Sequence, residues 1–253
     1  MKITFLGSGH GVPVPGRNCT AMLVEIGESA YLIDGGAPVM EQLIDRWNSV
    51  EDRTGLNPLK GVFTTHLHGD HTLGLIPLLH LAAWYHKEAS WVTYLTDEEL
   101  KDGMIRVINA VLGKETYPED RLPLRIAKAG EVFRDENVKI TYIQTAHTSD
   151  SHAILLEAEG KRVVFCGDLS RGLQADDFPK VALEEETDLV ICELAHFSAD
   201  AVRPYMEQCK TKQWWFNHVN NLATGEKLQA IEAMKNDFAF PVHTAADLTE
   251  INL

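Results

Sequence analysis

The 253-residue sequence predicts a mixed α/β fold, and three observations carry that prediction. Short runs rich in β-branched and aromatic residues alternate with longer segments of helical spacing. Paired strand-like runs occur in both halves of the chain, and each half has one that ends beside an Asp–Gly pair, at Asp34-Gly35 and Gly167-Asp168. Histidines follow strand ends in both halves, as if delivered to a common edge. The pattern suits two β-sheets packed face to face with helices outside.

Taken in order, residues 2–6 alternate as a strand does and run into Gly7-Ser8-Gly9-His10-Gly11-Val12-Pro13. Glycines after a first strand suggest dinucleotide binding, but Pro13, Pro15 and Gly16 stand where the phosphate-binding helix would begin. A loop folded over a site, offering backbone N–H groups to an anion, fits better, with His10 a substrate contact or a solvated loop histidine. Residues 21–26 and 30–33 read as strands joined at Gly27-Glu28, the second ending in Asp34-Gly35-Gly36; 39–47 has helical spacing. Residues 61–64 read as a buried strand, and 73–84 form an apolar stretch long enough for a helix, with His80 and His86 on the long helix, both structural or solvated. Residues 91–95 read as a strand, and Asp97 caps a helix to about Leu112 with Glu98 and Glu99 in its first turn. Residues 113–129, irregular and proline-bearing, are a lid or a connecting loop. Residues 138–144 form a strand leading to His147, His152 opens the next strand in a structural role, and 162–165 end at Cys166-Gly167-Asp168. Residues 188–192 are a buried strand followed by Glu193-Leu194-Ala195-His196, and an acid and a histidine just past a strand end suit proton transfer. Residues 199–209 and 225–235 are helical, 213–216 form an aromatic strand carrying His218, and 240–243 lead into a terminal strand.

The densest feature is Thr65-His66-Leu67-His68-Gly69-Asp70-His71, three imidazoles and a carboxylate in a corner between strand and helix. In extended backbone, residues two apart point the same way, so His66 and His68 can grip one ion. Asp70 and His71 fall where the chain turns and point towards a second ion.

This stretch matches the T-H-x-H-x-D-H signature, and the chain resembles the metallo-β-lactamase-fold hydrolases, with further matches in the family's order at Asp34, His147, Asp168 and His218. The resemblance implies a four-layer αββα sandwich, here a single domain over 1–253. It implies a two-metal site: His66, His68 and His147 on one ion, Asp70, His71 and His218 on the other, Asp168 bridging, and Asp34 orienting the histidine loop from outside. His218 is preferred to His243 because a strand precedes it and a final strand follows. In related phosphodiesterases a comparable glutamate and histidine lie beside the leaving group, so Glu193 and His196, with Asp70, are the candidate catalytic residues. All ligands are nitrogen or oxygen, which suits zinc first and also manganese or iron. Asp168 stands where classical β-lactamases have cysteine, and His68 where the redox di-iron branch has glutamate. Only 21 positions separate His147 from Asp168, too few for the arm by which transfer-RNA 3′-processing nucleases hold tRNA.

These readings predict a ribonuclease Z-like or phosphodiesterase-like hydrolase without the tRNA arm, attacking a small or nucleotide-type phosphodiester with a metal-bridging hydroxide. Alternatives are a thioester or lactone hydrolase on the same centre, and a non-catalytic metal-bearing binding protein. The formal net charge of −14 argues against extended nucleic acid as a partner and leaves room for a small anionic substrate. Four scattered cysteines suggest free thiols. The N-terminus is too soon broken by glycine for a signal peptide, and no apolar run approaches a membrane span. A cytoplasmic protein without membrane contact, with a homodimer allowed, is the expectation.

Overall fold

A computed structural model describes the chain except for residues 13, 49–50, 174–176, 221 and 223. The first half comprises β1 (Lys2–Gly7), β2 (Ala21–Ile26), β3 (Ser29–Ile33), α1 (Val39–Trp47), β4 (Leu59–Phe63), α2 (Gly69–Thr72), α3 (Leu75–Trp84), β5 (Val92–Leu95), α4 (Glu98–Leu112) and β6 (Leu124–Ile126). The second comprises β7 (Gly130–Arg134), β8 (Lys139–Gln144), β9 (His152–Ala158), β10 (Lys161–Phe165), α5 (Lys180–Glu184), β11 (Glu186–Thr187), β12 (Leu189–Leu194), α6 (Ala199–Met206), β13 (Lys210–Thr211), β14 (Trp214–Val219), α7 (Thr224–Met234), β15 (Val242–Thr244) and β16 (Glu250–Asn252).

Two seven-stranded sheets result, in the orders β16-β1-β2-β3-β4-β5-β6 and β15-β14-β12-β10-β9-β8-β7. Each has an antiparallel half, up to β3 or β10, and a parallel half beyond it. The chain thus repeats one plan twice and returns its last strand to the edge of the first sheet.

Strand parity builds the layers. On β3, Tyr31 and Ile33 face the second sheet while Ala30 and Leu32 face α1 and α3. On β10, Val163 and Phe165 point between the sheets and Val164 towards α6 and α7. One apolar layer therefore lies between the sheets, and two more lie under the helices. This is the expected four-layer αββα sandwich. At about 25 cal/mol per Å² of apolar surface, these three layers supply most of the drive to fold.

Residues 113–129 are not a lid. They carry β6 to the sheet edge, bury Tyr117 and Leu122, and let Arg121 cap the carbonyls of Ala82 and Ala83, each at 2.9 Å. Asp97 caps α4 as expected, accepting from the Leu100 N–H at 2.8 Å. No helix among the described residues is long and apolar enough to cross a membrane.

Candidate metal centre

The loops after β1, β3, β4, β8, β10, β12 and β14 meet at one edge, where open α/β sheets usually place their ligands. They bring together His66, His68 and His147 with Asp168, and beside them Asp70, His71 and His218. Asp168 lies between the groups. Its Oδ1 is 3.4 Å from His71 Nε2 and 3.3 Å from His218 Nε2; its Oδ2 is 3.7 Å from both His66 Nε2 and His147 Nε2. Asp70 Oδ2 is 3.7 Å from His71 Nε2 and 3.6 Å from His218 Nε2. On the other side, His68 Nδ1 is 3.0 Å from His66 Nε2 and 3.2 Å from His147 Nε2.

Most of these carboxylate–imidazole distances are long for hydrogen bonds. They suit atoms sharing a third partner, since two nitrogens held tetrahedrally at 2.0–2.1 Å from one zinc lie roughly 3.3 Å apart. His71 Nε2 and Asp168 Oδ1 are buried with no hydrogen-bond partner among the described residues, a cost proteins rarely accept without a ligand. The donor set therefore fits divalent metal.

Local backbone explains how the residues reach the edge. Asp34 ends β3 at φ +58°, which turns its carboxylate inward. Its Oδ1 accepts from the Thr65 N–H at 2.7 Å and its Oδ2 pairs with His71 Nδ1 at 2.9 Å, fixing loop and ring together. His218 would face α7 by parity, but Leu194 pairs with Val219 after Glu193 pairs with Asn217, so His218 is an extra residue at φ +48°. This bulge re-aims the imidazole into the centre, where Nδ1 meets Thr20 Oγ1 at 2.8 Å. His152, His80, His86 and His243 stay outside: His86 Nδ1 bonds the Arg53 carbonyl at 2.8 Å, His152 Nδ1 that of Asp150 at 2.8 Å, and His243 stacks on Trp215.

Glu193 does not follow its strand; β12 runs to Leu194. The alternation that points Cys192 and Leu194 at the helices sends Glu193 between the sheets, where it is buried. There it accepts from the N–H groups of Leu169 (2.9 Å), Ala195 (2.6 Å) and His196 (3.0 Å), and from His196 Nδ1 at 2.8 Å. His196 Nδ1 is also 3.7 Å from Asp168 Oδ2, and its ring lies 4.6 Å from that of His147.

Charge follows the packing, with protons alone balancing it. Burial works against a charge on His71, yet Asp168 and Asp34 outweigh burial and hold its pKa well above the free value. Burial, reinforced by His71, drives His66 well below it. Burial disfavours the Asp168 carboxylate, but His218 and His71 keep it ionised well below the usual range. His196 is raised because Glu193 overcomes the opposing effect of burial.

Other residues that position the loops went unrecognised in the sequence. Asp150 Oδ2 accepts from the Leu67 N–H (2.9 Å) and Thr96 Oγ1 (2.6 Å); Asp177 accepts from Ala146 N–H at 2.5 Å and from Ser170 N–H; Asp247 accepts from Ser8 and Asn18 N–H at 2.9 and 2.7 Å. Lys227 Nζ donates to the carbonyls of Leu194 (2.6 Å), Ala195 (3.2 Å) and Phe197 (2.7 Å), clamping the turn that carries His196. Their only trace in the sequence is a polar residue in a loop.

Residues 14–243 match the family model of the Metallo-beta-lactamase superfamily. The chain belongs to that superfamily. Membership agrees with a His/Asp cluster suited to divalent metal. Among its relatives, ribonuclease Z of Pseudomonas putida (strain W619) is 31% identical over 193 residues, 70% of this chain and 57% of that protein. The chain spans about half the length of the curated relatives it matches. Among solved structures, the metallo-beta-lactamase fold protein YhfI from Bacillus subtilis has a TM-score of 0.76 at 19% identity, covering 99% of this chain and 98% of that one. Human tRNase Z, short form, has a TM-score of 0.73 at 21% identity, with 100% and 99% covered. At these identities the two structures speak for the fold.

One expectation falls. Extended nucleic acid was excluded on net charge and on the missing arm, yet the matched relatives are ribonucleases by name. Net charge sums over the whole surface, whereas a metal centre sets its own local field, so −14 overall is no bar to a polyanion at this edge.

Proposed function

We propose that this chain hydrolyses phosphodiesters of nucleotide type, with His66, His68 and His147 holding one divalent ion, Asp70, His71 and His218 a second, and Asp168 both. Zinc is the preferred metal for this set, with manganese or iron also compatible. Bound there, such ions would supply positive charge to phosphoryl oxygens and a water acidified towards neutral pH. Asp34 and Thr20 keep the His71 and His218 rings aimed inward. Asp70, more exposed than Asp168, is the carboxylate placed to take a proton from attacking water. Glu193 is saturated by three backbone N–H groups and His196 Nδ1, so its task is to hold that ring with the Nε2 proton outward. From Nε2 the proton passes to the departing oxygen, which otherwise leaves as an alkoxide.

The observation that carries this reading is the His196–Glu193 pair beside Asp168 Oδ2, because proton delivery matters for ester leaving groups of high pKa. The ribonuclease relatives lend it further support. Bis-p-nitrophenyl phosphate, a lactone, a thioester and nitrocefin, each assayed with zinc or manganese, provide the test. Turnover should be largest on the phosphodiester, with close to two ions per chain by elemental analysis. A clear preference for the lactone or thioester would sink the proposal, and a chain that takes up only one ion after supplementation would sink the shared centre.

A further inference from the structure

Beside the centre, past His196, lies a cleft of about 400 Å³ lined by His10, Arg171, Ala195, His196 and Asn220. Asn220 Oδ1 accepts from the Leu222 N–H at 2.9 Å, which leaves the amide NH₂ as the group it can offer. His10 Nδ1 accepts from the Val12 N–H at 3.3 Å, so the neutral ring carries its proton on Nε2. His196 Nδ1 donates to the Glu193 carboxylate, so its Nε2 is a donor to the cleft only when the ring is protonated. Arg171 has donors alone and makes no hydrogen bond or ion pair among the described residues. Arg171 and the Asn220 amide therefore present donors to this cleft, and the neutral His10 ring has its proton on Nε2.

The nearby cations differ in this respect. Lys227 is spent on three carbonyls, and Arg17 Nη2 on the carbonyls of Ser8 (3.3 Å) and Ala245 (3.4 Å). Arg171 is the one left to meet a ligand, in a chain of net charge −14. A wall of donors with an uncommitted guanidinium calls for an anion with several acceptor oxygens, and a fork of N–H groups suits phosphate. The cleft adjoins the centre: the His10 ring lies 6.2 Å from that of His218. A ligand whose first phosphate sits at the metal ligands thus has its next group in the cleft.

We infer that His10, Arg171 and Asn220 form a second phosphate subsite, which takes the phosphate adjoining the scissile one in a nucleotide chain. The inference rests on the proposed phosphodiester chemistry for its orientation, but its test reads binding. Adenosine 3′,5′-bisphosphate carries two phosphates across one nucleoside, and adenosine 5′-monophosphate and 3′-monophosphate carry one each. Calorimetric titration of the zinc-supplemented protein should show the bisphosphate binding roughly tenfold or more tightly than the better monophosphate, the scale of one charge-assisted contact. In Arg171→Gln that ratio should collapse to within about twofold, and Arg171→Lys should restore part of it. Melting temperature and zinc content report whether each variant is folded. Equal affinity of the wild type for bisphosphate and monophosphates, or an unchanged ratio in folded Arg171→Gln, would overturn the subsite. The two readings fail separately: a protein that prefers the bisphosphate but cleaves no phosphodiester keeps the subsite and loses the activity.

Discussion

His71 and His218 each rest Nδ1 on a fixed side-chain oxygen, Asp34 at 2.9 Å and Thr20 at 2.8 Å, whereas across Asp168 the His147 Nδ1 leans on the Leu169 carbonyl at 3.2 Å and His68 Nδ1 meets ring nitrogens. The first pair is buried to 3% exposure or less; His68 and His147 are more open to solvent. A ring locked by a buried acceptor has little freedom to lose when it binds, so the inner half is preorganised. In the outer half His66 is buried, with Nδ1 3.1 Å from Thr65 Oγ1, but His68 and His147 lie towards solvent, His196 and the cleft beyond it. With an ion in each half, as proposed, the difference implies a division of labour: the inner half would retain its ion, and the outer half would present one to a substrate.

The largest effect should come from the residue common to both halves. Asp168→Ala removes the carboxylate whose two oxygens face the two groups, and leaves His71 and His218 without their nearest anion at that position. Elemental analysis should find both ions lost, and turnover should fall by more than the 10–100-fold that an outer contact is worth. His152→Ala and His86→Ala, which remove rings bonded to backbone carbonyls, should keep both ions. If Asp168→Ala retained one ion at full affinity, the halves would be independent sites.

What could be read from the sequence divides along the same lines. The His66–His71 cluster is local, so its spacing locates it, whereas Asp34 at its strand end is assigned by the family resemblance. Strand runs in each half point to mixed α/β and the family resemblance supplies the sandwich, while β7 carries no clear strand signal and the return of β16 to β1 is a pairing across some 250 positions that no local pattern records. Asp150 reaches the Leu67 N–H across 83 positions, and Asp177 reaches that of Ala146 across 31. The loop N–H groups they hold are backbone groups that any residue supplies, so nothing in the sequence marks these pairings. The bulge at His218 was invisible for a related reason: an aromatic strand reads the same with or without one extra residue. Glu193 was placed past its strand because apolar character ends at Cys192, while the backbone pairing continues to Leu194.

The next effect tests whether chemistry belongs to the outer half. His196 packs on His147 and is held by Glu193, outside both proposed ligand groups. His196→Ala should leave both ions bound yet slow hydrolysis of an alkyl phosphodiester by roughly 10²–10⁴-fold. With p-nitrophenolate, which departs without a proton, the loss should be much smaller. Equal losses on the two substrates, or a drop in metal content, would mean that His196 supports the structure rather than the leaving group.

The smallest effect separates the halves most directly, because it touches neither ion. Asp34→Asn keeps an acceptor for the Thr65 N–H but removes the charge opposite His71, so the inner ring loses its orienting partner. Asp177→Asn keeps the shape of the contacts to Ala146 and Ser170, whose loops carry His147 and Asp168, and weakens the outer half instead. Chelator competition on the wild-type protein should remove the two ions in two steps, the outer one first. Asp34→Asn should weaken the tightly held ion by about 10–100-fold and so draw the steps together. Asp177→Asn should move the weakly held ion by a similar or smaller factor and spread them apart. The sign of the change in separation is the decisive readout, since general destabilisation would shift both steps alike. Steps that moved together in both variants would show that burial and fixed acceptors do not rank the two halves.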